Sequence, residues 1–126
     1  MSYDLELGFR SKPSDLTEVL QGQGFKLNRT TRAEMEDNPK MRKYFWFDKQ
    51  KSRRGVHVKY TDEIDGDEEE EGLLELEPNL VAQATIISYM GRSDFDRQKQ
   101  ETVARFLRDH YKAVLYDGQE GTEVKD

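Results

Sequence analysis

No cysteine occurs in the 126 residues, which excludes disulfides, zinc–thiolate sites and thiol nucleophiles. No run of about 18 apolar residues exists, so no segment reads as a membrane span. The opening residues, MSYDLELGF, lack the basic-then-apolar layout of a secretion signal, and a cytoplasmic chain with no membrane contact is expected. Histidine is scarce. His57 and His110 lie far apart, in no H-x-x-x-H or H-E-x-x-H spacing, and a structural role is expected for each. A phosphate-binding loop is missing too: Gly22-Gln23-Gly24 has no third glycine and no Lys-Ser/Thr after it, so it reads as a helix stop. Ser52, Ser88 and Ser93 are not set in a G-x-S-x-G elbow. No catalytic residue, cofactor or metal is therefore expected.

Apolar residues are 34% and charged residues 37% of the chain, so the core must be economical. Six Tyr, six Phe and one Trp nevertheless argue against disorder as a whole. A chain of 14.8 kDa has the size of one domain, here expected to span 1–118 with a polar, frayed tail over 119–126.

Charge is uneven beneath the net value of -6. Seven basic residues fall within 40–54 (Lys40, Arg42, Lys43, Lys49, Lys51, Arg53, Arg54), with Asp48 the one acid. Directly after β-like residues 56–61, the stretch 62–71 holds eight acids in ten positions. Such a block repels itself, and an acidic, solvated, mobile loop over 62–72 is expected. Its register does not fit a calcium loop: counting twelve positions from Asp62 reaches Leu73, and from Asp65 Leu76, where a bidentate Glu is required.

Period-two alternation marks Tyr3, Leu5, Leu7 and Phe9 as a half-buried strand. Ser14 reads as the N-cap of a short helix over 14–22, with Leu16, Val19 and Leu20 at helical spacing. Phe25 and Leu27 can begin a second strand. Residues 28–42 show no sustained period. Lys43 to Asp48 and Gly55 to Thr61 read as two strands of a hairpin, with Val56, Val58 and Tyr60 on one face and His57 on the other. Leu73 to Glu77 suggests a short edge strand, and Leu80 to Met90 a central one. Ser93 with Asp96 imitates a capping box and opens the clearest helix, whose apolar face is read as Phe95, Val103, Phe106, Leu107 and His110, with Gln100 pointing out. Ala113 to Tyr116 makes a last strand closed by Asp117-Gly118. Asp94, Asp96 and Asp117 are expected at opposite ends of that helix, too far apart for an acid–base pair.

The fold class that follows is α+β: a mainly antiparallel sheet with two helices on one face, ferredoxin-like βαβ…βαβ with inserted strands. The pattern Tyr89-Met90-Gly91-Arg92-Ser93-x-x-Asp96, followed by Gln100, Ala104, Leu107 and Tyr116-Asp117-Gly118-Gln119-Glu120-Gly121, resembles the C-terminal part of small uncharacterised bacterial α+β proteins. The resemblance covers about the last 40 residues; it implies this fold and a bacterial origin, and it implies no activity.

The basic-aromatic segment 40–60 is the candidate functional surface. Trp, Tyr and Arg dominate protein interfaces, so Tyr44, Trp46, Arg53, Arg54 and His57 are read as an interaction surface on the uncovered side of the sheet, with Phe45 and Phe47 in the core. The expected function is a non-enzymatic protein-interaction or regulatory module whose partner is another protein or a second copy. The alternatives are single-stranded nucleic-acid binding by the 40–60 hairpin, and a small-ligand or enzyme site near His57, Tyr89 or Arg92.

Overall fold

Seven strands form one antiparallel sheet in the computed structural model, which describes residues 2–28, 41–64 and 77–125. In chain order they are β1 (Ser2–Phe9), β2 (Lys26–Leu27), β3 (Met41–Trp46), β4 (Val56–Thr61), β5 (Ala82–Tyr89), β6 (Val114–Asp117) and β7 (Thr122–Glu123), with helices α1 (Leu16–Gly22) between β1 and β2 and α2 (Asp94–Tyr111) between β5 and β6. The spatial order is β2-β3-β4-β5-β1-β6-β7. The chain leaves β5 through α2 and returns as β6 on the far side of β1. Most of the acidic block and the expected 73–77 strand lie outside the described residues.

Register decides which side chains meet. Leu7 pairs with Ala84 and Leu115, Leu5 with Ile86, and Ile86 with Val58, which pairs with Tyr44. These residues share one face because alternate strand residues point the same way. Leu16 and Leu20 of α1 and Val103, Ala104 and Leu107 of α2 pack on that face, and together they form the main core. Two helices on one face of an antiparallel sheet is the expected class.

The helix ends follow from local chemistry. Ser93 caps α2: its hydroxyl accepts from the Asp96 N–H at 3.1 Å, and the Asp96 carboxylate accepts from the Ser93 N–H at 3.3 Å. The helix stops at Lys112, whose left-handed backbone (φ 53°) lets the Ala113 N–H reach the Arg108 carbonyl. At α1 the cap position belongs to Asp15, not Ser14, and no side chain caps it.

Two apolar expectations on α2 are corrected. Phe106 and His110 are exposed, whereas Asp96 and Gln100 are buried among Val103, Ala104 and Leu107. The inward face is thus 96, 100, 103, 104 and 107, a polar-ended stripe of helical period. Gln100 satisfies all its polar capacity there. Its amide donates to the Tyr3 and Ile86 carbonyls at 2.7 and 2.9 Å, and its oxygen accepts from Ser88 and Arg92, both at 2.8 Å. A buried amide with four partners ties α2 to both β1 and β5 at no desolvation loss.

A short pairing follows β6. Asp117 Oδ1 accepts from the N–H groups of Gln119 and Glu120, and β7 then pairs with β6. Val124 packs against the core and donates its N–H to the Leu115 carbonyl at 2.7 Å.

Candidate functional site

The helix-free face of the sheet is divided. On its β1–β6 side, Leu80 is buried against Val114, with Ile64 and Tyr116 beside it. Gly8 allows this: a Cβ there would stand 2.3 Å from Leu80 Cδ1. That half of the face is covered, contrary to the expectation of a wholly bare side. Over β2, β3, β4 and the Ile87–Tyr89 end of β5 no described segment packs, whereas Gln83 of β5 is buried.

Aromatic rings occupy the uncovered half. Phe45 of β3 pairs with His57 of β4, their ring centroids 4.6 Å apart. His57 meets Tyr89 of β5 edge-on at 5.3 Å, and Phe45 lies nearly parallel to Phe47 at 6.1 Å. The order Phe47, Phe45, His57, Tyr89 thus crosses three adjacent strands. Ile87 sits opposite His57 in the ladder. Cations border the row: Lys26 pairs with Phe45, and one step along the strands Lys43 pairs with Lys59.

Gly55 makes room for this row. Its φ is +76°, and a Cβ would come within 2.5 Å of the Trp46 carbonyl oxygen and 2.8 Å of the Phe45 ring. The Phe45 ring therefore lies over the glycine. The preceding turn is held by polar contacts: Asp48 Oδ1 accepts from the Gln50 and Lys51 N–H groups, and Ser52 Oγ from the Asp48 N–H. Its far end is fixed by Asp96, whose Oδ2 accepts from the N–H groups of Arg53 and Arg54 at 2.9 and 3.1 Å. Burial pushes the Asp96 carboxyl up, but hydrogen bonds from Ser52 and from the backbone of Arg53, Arg54 and Ser93 outweigh it and hold it at about 2.

The strand parity of the expected surface is reversed at β3. Tyr44 is buried on the helix side, and its hydroxyl is 2.7 Å from that of Thr17 on α1. Trp46 also turns to the helices, packing at 5.5 Å from Phe95 with the Lys99 ammonium 5.1 Å from its ring. Neither belongs to an exposed interaction surface. The reason is register: Tyr44 pairs with Val58 and Trp46 with Val56, both fully buried. Phe45 and Phe47, expected in the core, take the open face. Of the expected residues, His57 lies in the row, while Arg53 and Arg54 are exposed at the hairpin tip. Phe45 and Phe47 are the candidates whose face differs from the expectation, and alternation with Val56 and Val58, carried across the hairpin, is the signal that finds them; Tyr89, named beside His57 from the sequence, joins the row.

Catalytic chemistry finds no constellation. Burial, and then the charge of Lys43, lower the His57 pKa from its usual value. No carboxylate bonds it among the described residues. The Arg92 guanidinium donates to Ser88 and Gln100 and lies 4.0 Å from the centre of the Tyr3 ring, which gives it a packing role. No group of three or more His, Asp or Glu is arranged to hold a metal among the described residues, and no described helix is long and apolar enough to cross a membrane.

The His57 environment makes a pH prediction. Its folded pKa lies below the unfolded value of 6.5, so the unfolded chain binds the proton more readily. Stability is therefore full above 6.5 and declines as pH falls through that value. Urea midpoints measured from pH 8 to pH 5 should fall for the native protein, and His57→Phe should remove that part of the slope. An unchanged slope in the variant contradicts the assignment.

Compared with protein-family models, with curated proteins and with solved structures, the chain matches none.

Proposed function

We propose that this chain is a non-enzymatic binding module whose working surface is the uncovered β2–β5 half of the sheet. One observation carries the reading: a continuous ring row, Phe47–Phe45–His57–Tyr89, stands on the face that neither the helices nor Leu80 cover. Phe47 is 44% exposed. Contiguous apolar surface rimmed by polar groups marks interaction sites on soluble domains. The ferredoxin-like reading belongs with this proposal: it rests on the central order β6-β1-β5-β4, in which α2 carries β5 past β1 to β6. Ferredoxin-like sheets serve unrelated roles, so the surface and not the fold is the argument.

The test is site-specific photocrosslinking in cells that express the chain. A photoreactive phenylalanine analogue at position 47 should give adducts. The same probe at position 106, exposed to a similar 38% on the outer side of α2, should not. Equal or absent adducts at both positions refute the module.

A further inference from the structure

The chemistry of the uncovered half-face goes further than its exposure. We propose that it binds single-stranded nucleic acid, with bases against the Phe47–Phe45–His57–Tyr89 row and phosphates beside Lys26, Lys43 and Lys59. The proposal rests on the binding-module reading and names its partner class.

Three observations favour this occupant. First, the rings are spaced at 4.6 Å from β3 to β4 and 5.3 Å from β4 to β5, close to the step between neighbouring strands, with Phe47 6.1 Å from Phe45 along the chain. An extended strand running across β3, β4 and β5 meets a ring at each step, and bases of any identity stack on such rings. Second, His57 is held in its neutral form by burial and by Lys43, so its ring stands in the row as an aromatic surface near neutral pH. Third, three lysines stand beside the row. Lys26, Lys43 and Lys59 lie on this face by register, Asp4 and Glu6 of β1 lie further across it beyond Ile87 and Thr85, and Lys49 follows at the hairpin tip. Ammonium groups on flexible stems suit phosphates as point charges.

The net charge of -6 does not oppose this. Residues 62–71 contribute eight of the acids, and the rest of the chain stands at +2. Of the residue types that dominate protein interfaces, Trp46 and Tyr44 face the helices, while Tyr89 stands in the row and Arg53 and Arg54 are exposed at the tip. A duplex is a poor match, since its bases hide their flat faces in the stack and the row offers rings, not hydrogen-bonding groups for a groove.

The test is fluorescence anisotropy with labelled mixed-sequence single strands of about 12 nucleotides, DNA and RNA, at about 50 mM salt. The native protein should bind with a Kd on the order of micromolar, and binding should weaken steeply as salt rises. A duplex of the same length should bind at least about tenfold more weakly. Phe47→Ala should weaken binding about tenfold, because base–ring stacking carries that much per base. Lys59→Glu should weaken it about as much. Phe47 is exposed, so its variant is expected to fold; circular dichroism and a native-like urea midpoint check this. Phe106→Ala should leave binding unchanged.

No binding at about 100 μM, equal affinity for the duplex, or full affinity in folded Phe47→Ala overturns the proposal. Failure here is separable from failure of the module: adducts to protein from position 47, with no oligonucleotide binding, keep the surface and remove the nucleic acid.

Discussion

Asp96→Ala should lower the unfolding free energy by about 3 kcal/mol, the range for removing a buried charged acceptor with several donors. The carboxylate is inaccessible to solvent. It closes the capping box of α2 and also accepts the N–H groups of Arg53 and Arg54. Its loss leaves three backbone donors without that acceptor and frees the hairpin from the helix. Two measurements check this. Urea unfolding should give the loss in stability, and amide exchange should rise most at Arg53 and Arg54. Exchange unchanged at those two amides contradicts the bridge.

The same group dictates acid behaviour. Its folded pKa of about 2 lies below the ordinary carboxylate value of 3.8. A depressed acid stabilises the fold above the unfolded pKa and loses that contribution as pH falls through the folded one. The native protein should therefore lose about 2 kcal/mol between pH 4 and pH 2 through this group. Asp96→Asn should show no such loss in that window, from a lower starting stability.

The second large effect is at Gly55. Gly55→Ala should cost about 3 kcal/mol: the left-handed backbone disfavours any Cβ by 1–2 kcal/mol, and the added carbon meets a carbonyl oxygen that cannot move alone. The positive φ, the 2.5 Å approach to the Trp46 oxygen and the 2.8 Å approach to Phe45 act together. The ring of Phe45 must leave its place over the backbone, so the row between Phe47 and His57 is disturbed as well. Gly22→Ala is the contrast. It stands at the end of α1 with nothing within 4 Å of its Cβ position, and alanine there should raise stability by about 0.5 kcal/mol. Chemical denaturation followed by Trp46 fluorescence measures both. Equal effects at the two glycines would refute the steric argument.

Much of the architecture was legible because it is local. The alternation of Tyr3, Leu5, Leu7 and Phe9, the Ser93–Asp96 cap and the hairpin between β3 and β4 each depend on residues close in sequence. The missed features share one property: each depends on a partner distant in the chain. Gln100 looked like a solvent-facing residue until the carbonyls of Tyr3 and Ile86 were brought beside it. The pairing of Thr122 and Glu123 likewise depends on β6.

The surface turns on the same distinction. Four consecutive aromatics, Tyr44 to Phe47, announce a strand but not which two face the core, since either parity buries two rings. Pairing with Val56 and Val58 settles it, because a one-residue shift would carry every β3 side chain to the opposite face. Composition and periodicity alone determined the α+β class, the absence of cysteine chemistry and the place of most elements. Tertiary structure decided which rings remain open, how Leu80 covers half of the other side, and which carboxylate holds the hairpin to α2. Burial and long-range pairing are properties of the assembled sheet, and no short window of residues contains them.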